Sequence, residues 1–263
     1  MSNILETIAD HSRARVEREL THVSRDEMRA RAEASVDRGR PSLYDALSAP
    51  GMSFICECKK ASPSKGLIAP EFPYRQIARE YEGAGAAAIS VLTEPDFFLG
   101  SDIYLSEIAH DVALPVLRKD FIVDDFQVFQ AATLGASAVL LICSLLDADT
   151  LRDRLRICES LGLDALVEAH DEDEIDLALA VDARIIGINN RNLRDFSVDF
   201  TATARLRKRI PAHVLAVAES GIKTPGDVAV LGECGFDAVL VGEVLMRADD
   251  KARVLSELKE GCR

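Results

Sequence analysis

The sequence predicts a (β/α)8 TIM barrel with an N-terminal helical extension, on three observations. Eight short runs rich in Val, Ile, Leu and Ala recur from residue 53 onward. Their starts lie 34, 27, 23, 27, 20, 29 and 24 residues apart, room each time for a strand, one helix and two loops. Polar residues, otherwise rare in these runs, collect at their C-terminal ends. Near-continuous apolar strands are the mark of parallel strands buried on both faces, and eight β-then-α units in about 210 residues is the arithmetic of that barrel. A doubly wound open sheet would carry G-x-G-x-x-G after its first strand, and no such run follows it here.

The first 48 residues carry many of the arginines and have a helical period, with Ile4, Ile8, Val16 and Leu20 followed by Met28 and Ala32. Two or three helices are expected there, with Arg38-Gly-Arg-Pro41 as a break. The chain therefore divides into a helical extension, 1–48, packing on the barrel, and a single catalytic barrel domain, 49–263. The strand candidates are 53–59 (SFICECK), 87–93 (AAISVLT), 114–119 (LPVLRK), 137–143 (SAVLLIC), 164–168 (DALVE), 184–189 (RIIGIN), 213–219 (HVLAVAE) and 237–242 (DAVLVG). Helix starts are marked between them. Thr224-Pro225-Gly226-Asp227 puts a capping hydroxyl before a proline at the first helical position. Asp171-Glu-Asp-Glu174 crowds acids where the helix dipole favours them, and Asp124 and Asp147 read as caps of the same kind.

Composition excludes several classes of function. With 31 basic against 44 acidic residues the net charge is −13, which argues against a general nucleic-acid binder, since phosphate affinity needs a positive surface. An anionic small molecule stays open, because a few lysines converging on one cleft overrule the global charge locally. The longest nearly apolar stretch, Ala136 to Leu146, has 11 residues, short of the ~18 a spanning helix needs. The charged, helix-patterned N-terminus is not a signal peptide. Six cysteines show neither a C-x-x-C pair nor metal-ligand spacing. They read as buried free thiols of a protein kept in a reducing cytoplasm, and no metal or redox cofactor is expected.

In such a barrel the chemistry lies where the strands end. Glu57 and Lys59 close the first strand, Lys119 the third, Glu168 the fifth, Asn189 the sixth, and Glu219 and Ser220 the seventh. Parity sharpens the reading: if Cys56 and Cys58 face the helices, Glu57 and Lys59 face into the barrel mouth. Charged groups rarely sit in parallel strands unless paired or used. Close lysines and glutamates tune one another, a unit pair about 4 Å apart interacting by roughly 4 kcal/mol at an effective dielectric near 20. Glycine turns after the seventh and eighth strands, Glu219-Ser-Gly-Ile222 and Val241-Gly-Glu-Val244, stand where such barrels hold phosphate. Ser62-Pro-Ser-Lys-Gly66 reads as a cationic loop able to close over an anion, or as an exposed turn. Phe97-Phe98-Leu99-Gly100 and Phe121 read as core packing when taken alone, or as a wall for an aromatic ring. His170 follows Glu168 by two and shares its parity, and reads as a solvated loop histidine or, less readily, as a catalyst. The sum is a barrel enzyme using Lys/Glu acid–base chemistry on a phosphorylated, partly apolar substrate.

These residues carry a family resemblance. Phe54-Ile-Cys-Glu-Cys-Lys-Lys-Ala-Ser-Pro-Ser-Lys-Gly66 closely resembles the first-strand signature of the indole-3-glycerol-phosphate synthases of the tryptophan pathway. The likeness continues through Ser90-Val-Leu-Thr-Glu94, Phe98-Leu-Gly-Ser101, Leu117-Arg-Lys-Asp-Phe-Ile122, Leu166-Val-Glu168, Gly187-Ile-Asn-Asn-Arg191, Ala218-Glu-Ser-Gly-Ile222 and Val241-Gly242. It implies the monofunctional, single-barrel form, expected as a cytoplasmic monomer without cofactor. The implied substrate is 1-(2-carboxyphenylamino)-1-deoxyribulose 5-phosphate, closed to indole-3-glycerol phosphate with loss of CO2 and water. Lys119 matches the family's general acid. Glu57 or Glu168 would stabilise positive charge on nitrogen, and Lys59 and Glu168 are candidates for the dehydration, with Asn189 beside them. Which lysine protonates which oxygen stays open. Lys59, Ser220, Gly221, Gly242 and Glu243 match the phosphate positions, Glu243 through its backbone N–H. Arg191, Asn189 and Ser62 are candidates for the anthranilate carboxylate and ribulose hydroxyls, Glu219 for a further substrate contact, and Phe98, Phe121 and Leu140 for the wall around the ring. The N-terminal helix is expected over the barrel mouth. Related sugar-phosphate isomerases work with Cys/Asp or Asp/Asp pairs, against which Lys59, Lys119 and Glu168 discriminate.

Overall fold

A computed structural model describes residues 4–37, 39–191 and 200–262. All eight strand candidates form: β1 (Ser53–Cys58), β2 (Ala88–Leu92), β3 (Val116–Lys119), β4 (Ala138–Ile142), β5 (Asp164–Ala169), β6 (Ile185–Asn189), β7 (Leu215–Glu219) and β8 (Ala238–Val241). Each pairs in parallel with the next, and β8 closes on β1 with Ser53 opposite Ala238, giving a closed barrel. The period of two along each strand sorts side chains into two cores. Ile55, Leu117, Leu140, Leu166, Val217 and Leu240 fill the interior, while Cys56, Cys58, Val139, Val167 and Val239 face the helices. The cysteine parity is therefore as expected, and burial pushes the Cys56 thiol up to about 12. Cys262, by contrast, is exposed in the C-terminal turn, and Cys234, at the C-terminal end of the helix Pro225–Glu233, is half-buried.

The expected caps are present. Thr224 and Asp227 form a reciprocal capping box on the helix Pro225–Glu233, and Asp124, Asp147 and Asp171 each accept a backbone N–H of the helix that follows. Such caps are each worth about 1 kcal/mol.

Three helices precede β1: α1 (Ile4–Leu20), α2 (Arg25–Ala34) and α3 (Leu43–Leu47). Of the expected break, Arg38 lies outside the described residues; Arg40 donates to the carbonyls of Ala136 and Ala132. α3 plugs the end where strands begin: Leu43 and Leu47 join the inner core, and Ser42 Oγ and the Tyr44 N–H both donate to Asp164 at the start of β5. α1 lies at the opposite end. Its Arg15 donates twice to Asp120, at 2.8 and 2.9 Å, the residue after β3. Asp120 is buried and also accepts from Thr93 Oγ1 at 2.6 Å. The loop after β1 is a formed hairpin, Ala61–Ser62 paired with Gly66–Leu67, its turn made possible by Gly66 at φ 63°. Among the described residues no helix is long and apolar enough to cross a membrane.

Candidate active site

Every residue assigned above to chemistry, sugar, carboxylate or phosphate, with Phe98, Phe121 and Leu140 of the ring wall, lines one cavity of about 640 Å³ at the C-terminal end of the barrel; Phe97 packs against His11 instead and Leu99 is exposed. Strand register brings them there. Glu168 at the end of β5 sits opposite Gly187 of β6, and Asn189 of β6 opposite Glu219 of β7. Glu57, Lys119, Glu168 and Glu219 converge on the axis because each lies two residues beyond an inward-facing apolar residue, Ile55, Leu117, Leu166 and Val217, while Lys59 and Asn189 lie one inward step further.

Lys119 is the hub. Its Nζ lies 3.1 Å from Glu168 Oε2 and 3.1 Å from Glu219 Oε2. Glu168 accepts at its other oxygen from Asn189 Nδ2, 3.2 Å away. Burial alone would lower the Lys119 value, but Glu168, Glu219 and Glu57 outweigh it and hold the ammonium form. Burial would raise Glu168; Lys119 and His170 overcome this and bring it down to about 2. Glu219 is the reverse. Burial and the charge of Glu168 push it up to about 7 despite Lys119, and its Oε1 has no hydrogen-bond partner among the described residues. Lys59 forms a second pair, Nζ to Glu57 Oε1 at 2.5 Å. A β-carbon at Gly242 would come within 2.5 Å of that same oxygen, so glycine is what lets Glu57 lie against β8.

The cavity has a polar and an apolar side. Phe98 and Phe121, with ring centroids 6.0 Å apart, join Leu140 and, from α1, Leu5 and Ile8. Opposite them lie the two glycine turns. Ser220 has φ 68° and Gly221 φ 83°, and the Asn190 side-chain amide donates to the Ser220 carbonyl at 2.9 Å. After β8 a short helix follows, Glu243–Arg247. The Glu243 carboxylate faces Arg247 at 3.3 Å and Lys65 at 3.6 Å. Its charge is thereby met by cations and its backbone N–H left to the turn. Arg191 donates to Ser64 of the hairpin at 2.6 Å, joining the loops after β6 and β1.

Sequence reasoning missed several participants. His170 is not a solvated loop histidine: its side chain is 18% exposed and stands between Glu168 and Glu174. Its parity with Glu168 was visible, but Glu174 comes from the following helix and folds back only in three dimensions. Asn190 and Gly187 stood in the resembling segment without a role. Ile8 was legible as part of a helical stripe but not of the cavity, and Leu5 stood in neither reading. Among the described residues no cluster of His, Cys, Asp and Glu is arranged to hold a metal ion.

A closed parallel barrel with its ionisable groups gathered where the strands end belongs to the (β/α)8 enzymes, whose chemistry is carried by that face. Solved structures agree on the fold. 3-Hexulose-6-phosphate synthase from Salmonella typhimurium superposes with TM-score 0.66 at 15% identity, covering 80% of this chain and 98% of that one. Thiamine phosphate pyrophosphorylase from Pyrococcus furiosus gives 0.62 at 16%, covering 84% and 98%. The family model described as Indole-3-glycerol phosphate synthase matches residues 5–258. Proteins of that name from Ruminiclostridium cellulolyticum and Endomicrobium trichonymphae are each 49% identical, over 97% and 98% of this chain and 98% and 100% of their own. The chain belongs to the indole-3-glycerol phosphate synthase family, and so to the carboxy-lyases.

Proposed function

We propose that the protein closes the pyrrole ring of 1-(2-carboxyphenylamino)-1-deoxyribulose 5-phosphate, releasing CO2 and water and giving indole-3-glycerol phosphate for tryptophan synthesis, as a cytoplasmic monomer. The observation that carries this reading is one ammonium, Lys119, held between two carboxylates at 3.1 Å each in a cavity with an aromatic wall on one side and glycine turns on the other.

The ring carbon bearing the carboxylate attacks the ketose carbonyl. A C–C bond forms, the carbonyl pair moves to oxygen, and Lys119 supplies the proton. An alkoxide is more basic than an amine, so an ammonium stabilised by carboxylates still donates downhill. Nitrogen carries positive charge at that stage, offset by Glu57 or Glu168. Breaking the bond to CO2 returns the electron pair to the ring. Lys59 then protonates the hydroxyl, which leaves as water, and Glu168 takes the proton from the adjacent methylene carbon. Charge balance supports this division of labour. The substrate carboxylate leaves as neutral CO2, so each turnover takes up one proton from solvent. Glu168 can return its proton to Lys119 across 3.1 Å, and Lys59, 19% exposed against 13% for Lys119, is the better placed to be recharged by water. Asn189 holds the plane of Glu168. Ser220, Gly221, Gly242 and the Glu243 N–H receive the phosphate with Lys59, Arg191 and Ser62 the substrate carboxylate and hydroxyls, and Phe98, Phe121 and Leu140 the ring.

Indole fluorescence tests the reading directly, because the chain has no tryptophan and contributes little background. The purified protein mixed with the carboxyphenylamino-deoxyribulose phosphate is expected to produce a rising indole signal that Lys119→Ala abolishes. Saturable binding without signal would mean a barrel that has lost catalysis.

A further inference from the structure

A third group faces Glu168. His170, two residues further along, places Nε2 3.4 Å from Glu168 Oε1 and Nδ1 3.1 Å from Glu174 Oε2. The backbone N–H of His170 donates to the same Glu174 oxygen at 2.8 Å. Ser144, from the turn after β4, donates its hydroxyl to the other oxygen of Glu174. The imidazole is thus clamped from behind, and its buried Nε2 makes no hydrogen bond among the described residues. Geometry fixes its charge state. A neutral ring can give a hydrogen to one nitrogen only, and the other would set a lone pair against a carboxylate. An imidazolium turns an N–H toward each acid, hydrogen-bonded to Glu174 and in ion-pair range of Glu168. The groups around it agree: Glu168 from β5, Glu174 from the following helix and, further off, Glu219 from β7 are acids, Ser144 and Cys143 are neutral, and Lys119 meets Glu168 on its far oxygen. Burial, which opposes the charge, is outweighed by these acids, and the His170 value is raised.

We propose that His170, clamped by Glu174 and Ser144, is a positioning residue that fixes the carboxylate of Glu168 and keeps a positive charge beside it throughout turnover. The proposal rests on the reading of Glu168 as the base. Lys119 becomes neutral when it gives its proton to the substrate, and Glu168 would then face Glu219 without a counter-charge just before it must accept a proton. The imidazolium is a standing cation that the reaction does not consume.

The test compares His170→Ala, His170→Gln, Glu174→Gln and Glu168→Gln in the full chain, following single-turnover indole formation from the carboxyphenylamino-deoxyribulose phosphate between pH 5.5 and 9. His170→Ala is expected to slow the single-turnover step about tenfold at pH 7, with KM changed less than about threefold. The wild-type rate is expected to fall toward that of His170→Ala as pH rises through the raised His170 value, because the imidazolium is lost there, so the gap between the two narrows on the alkaline side. His170→Gln, able to donate a hydrogen bond but uncharged, is expected to recover part of the rate without that alkaline fall; Glu174→Gln, which removes an acid from beside His170, brings the fall to lower pH. An alkaline fall like that of the wild type in both His170 variants overturns the proposal, as does an equal loss at every pH. Should His170→Ala fail to fold, His170→Gln decides alone. Glu168→Gln separates the two ideas: near-normal turnover there overturns the base assignment and this proposal together, whereas a large loss there beside unaltered His170 variants overturns only this one.

Discussion

Glu219 lends one carboxylate oxygen to Lys119 at 3.1 Å and turns the other toward Gly187, where it finds no hydrogen-bond partner among the described residues. Glu168 shares the same ammonium but has Asn189 and His170 as well. Two buried acids and one lysine cannot be equivalent under those conditions. The one with more partners, Glu168, keeps the charge, and burial with the charge of Glu168 pushes Glu219 up. The asymmetry places an ionised acid and a neutral-leaning acid on either side of one proton donor.

The pH dependence of stability follows from Glu219. A carboxyl whose folded value lies above its unfolded one contributes stability below the unfolded value, and loses it as pH rises through the folded one; here that window runs from 4.5 to about 7. Glu219→Gln never ionises and escapes that loss. Its stability relative to wild type is expected to grow between pH 5 and 8 by something on the order of 2 kcal/mol. The lost Lys119 contact adds an offset that does not vary with pH over this range. Urea titrations at several pH values check the slope, and a difference independent of pH would contradict the assignment.

Lys119→Ala leaves Glu168 and Glu219 facing each other without their shared cation. The proposed acid is gone, so kcat is expected to fall at least about 10²-fold, the usual scale of general acid–base help. Circular dichroism should show the barrel intact, since the inner and outer apolar layers are untouched. Near-normal turnover in a folded variant would remove Lys119 from its role.

How much of this was legible in the sequence depends on the range of the interaction. Glu57 and Lys59 were placed in the mouth by strand parity alone, because Cys56 and Cys58 had to take the other face. The turns at Ser220 and Gly242 announced themselves by glycine at a strand end. His170 escaped because its environment is assembled from three elements of two βα units: Glu168 on β5, Glu174 on the helix after it and Ser144 in the turn after β4. Gly187 escaped for a related reason. Nothing along β6 marks it, and its meaning lies in the side chain that reaches over from β7.

Gly187→Ala tests that cross-strand contact. The new methyl would collide with Oε1 of Glu219 and come within 3.2 Å of Leu166 Cδ1. Overpacking of this kind costs about 1–3 kcal/mol, and the freest way to relieve it is to swing Glu219 off Lys119. A lower Tm together with a kcat reduced about tenfold or more is expected, with the raised Glu219 value displaced. A variant with wild-type kcat would show that the position of Glu219 is not critical.

Ser220 offers a way to separate binding from chemistry. It lines the cavity at the turn after β7, the position proposed for the phosphate, and its backbone sits in the left-handed region at φ 68°, held by the Asn190 amide on its carbonyl. Ser220→Ala keeps the backbone preference nearly unchanged and removes only the hydroxyl. A contact made equally in ground and transition states is uniform binding, so KM is expected to rise several-fold with kcat little altered. Ser220→Gly removes the same hydroxyl while relieving the left-handed strain, by about 1 kcal/mol, so it should show the same KM and a higher Tm than Ser220→Ala. A fall in kcat at constant KM in either variant would move Ser220 from the phosphate to the chemical step.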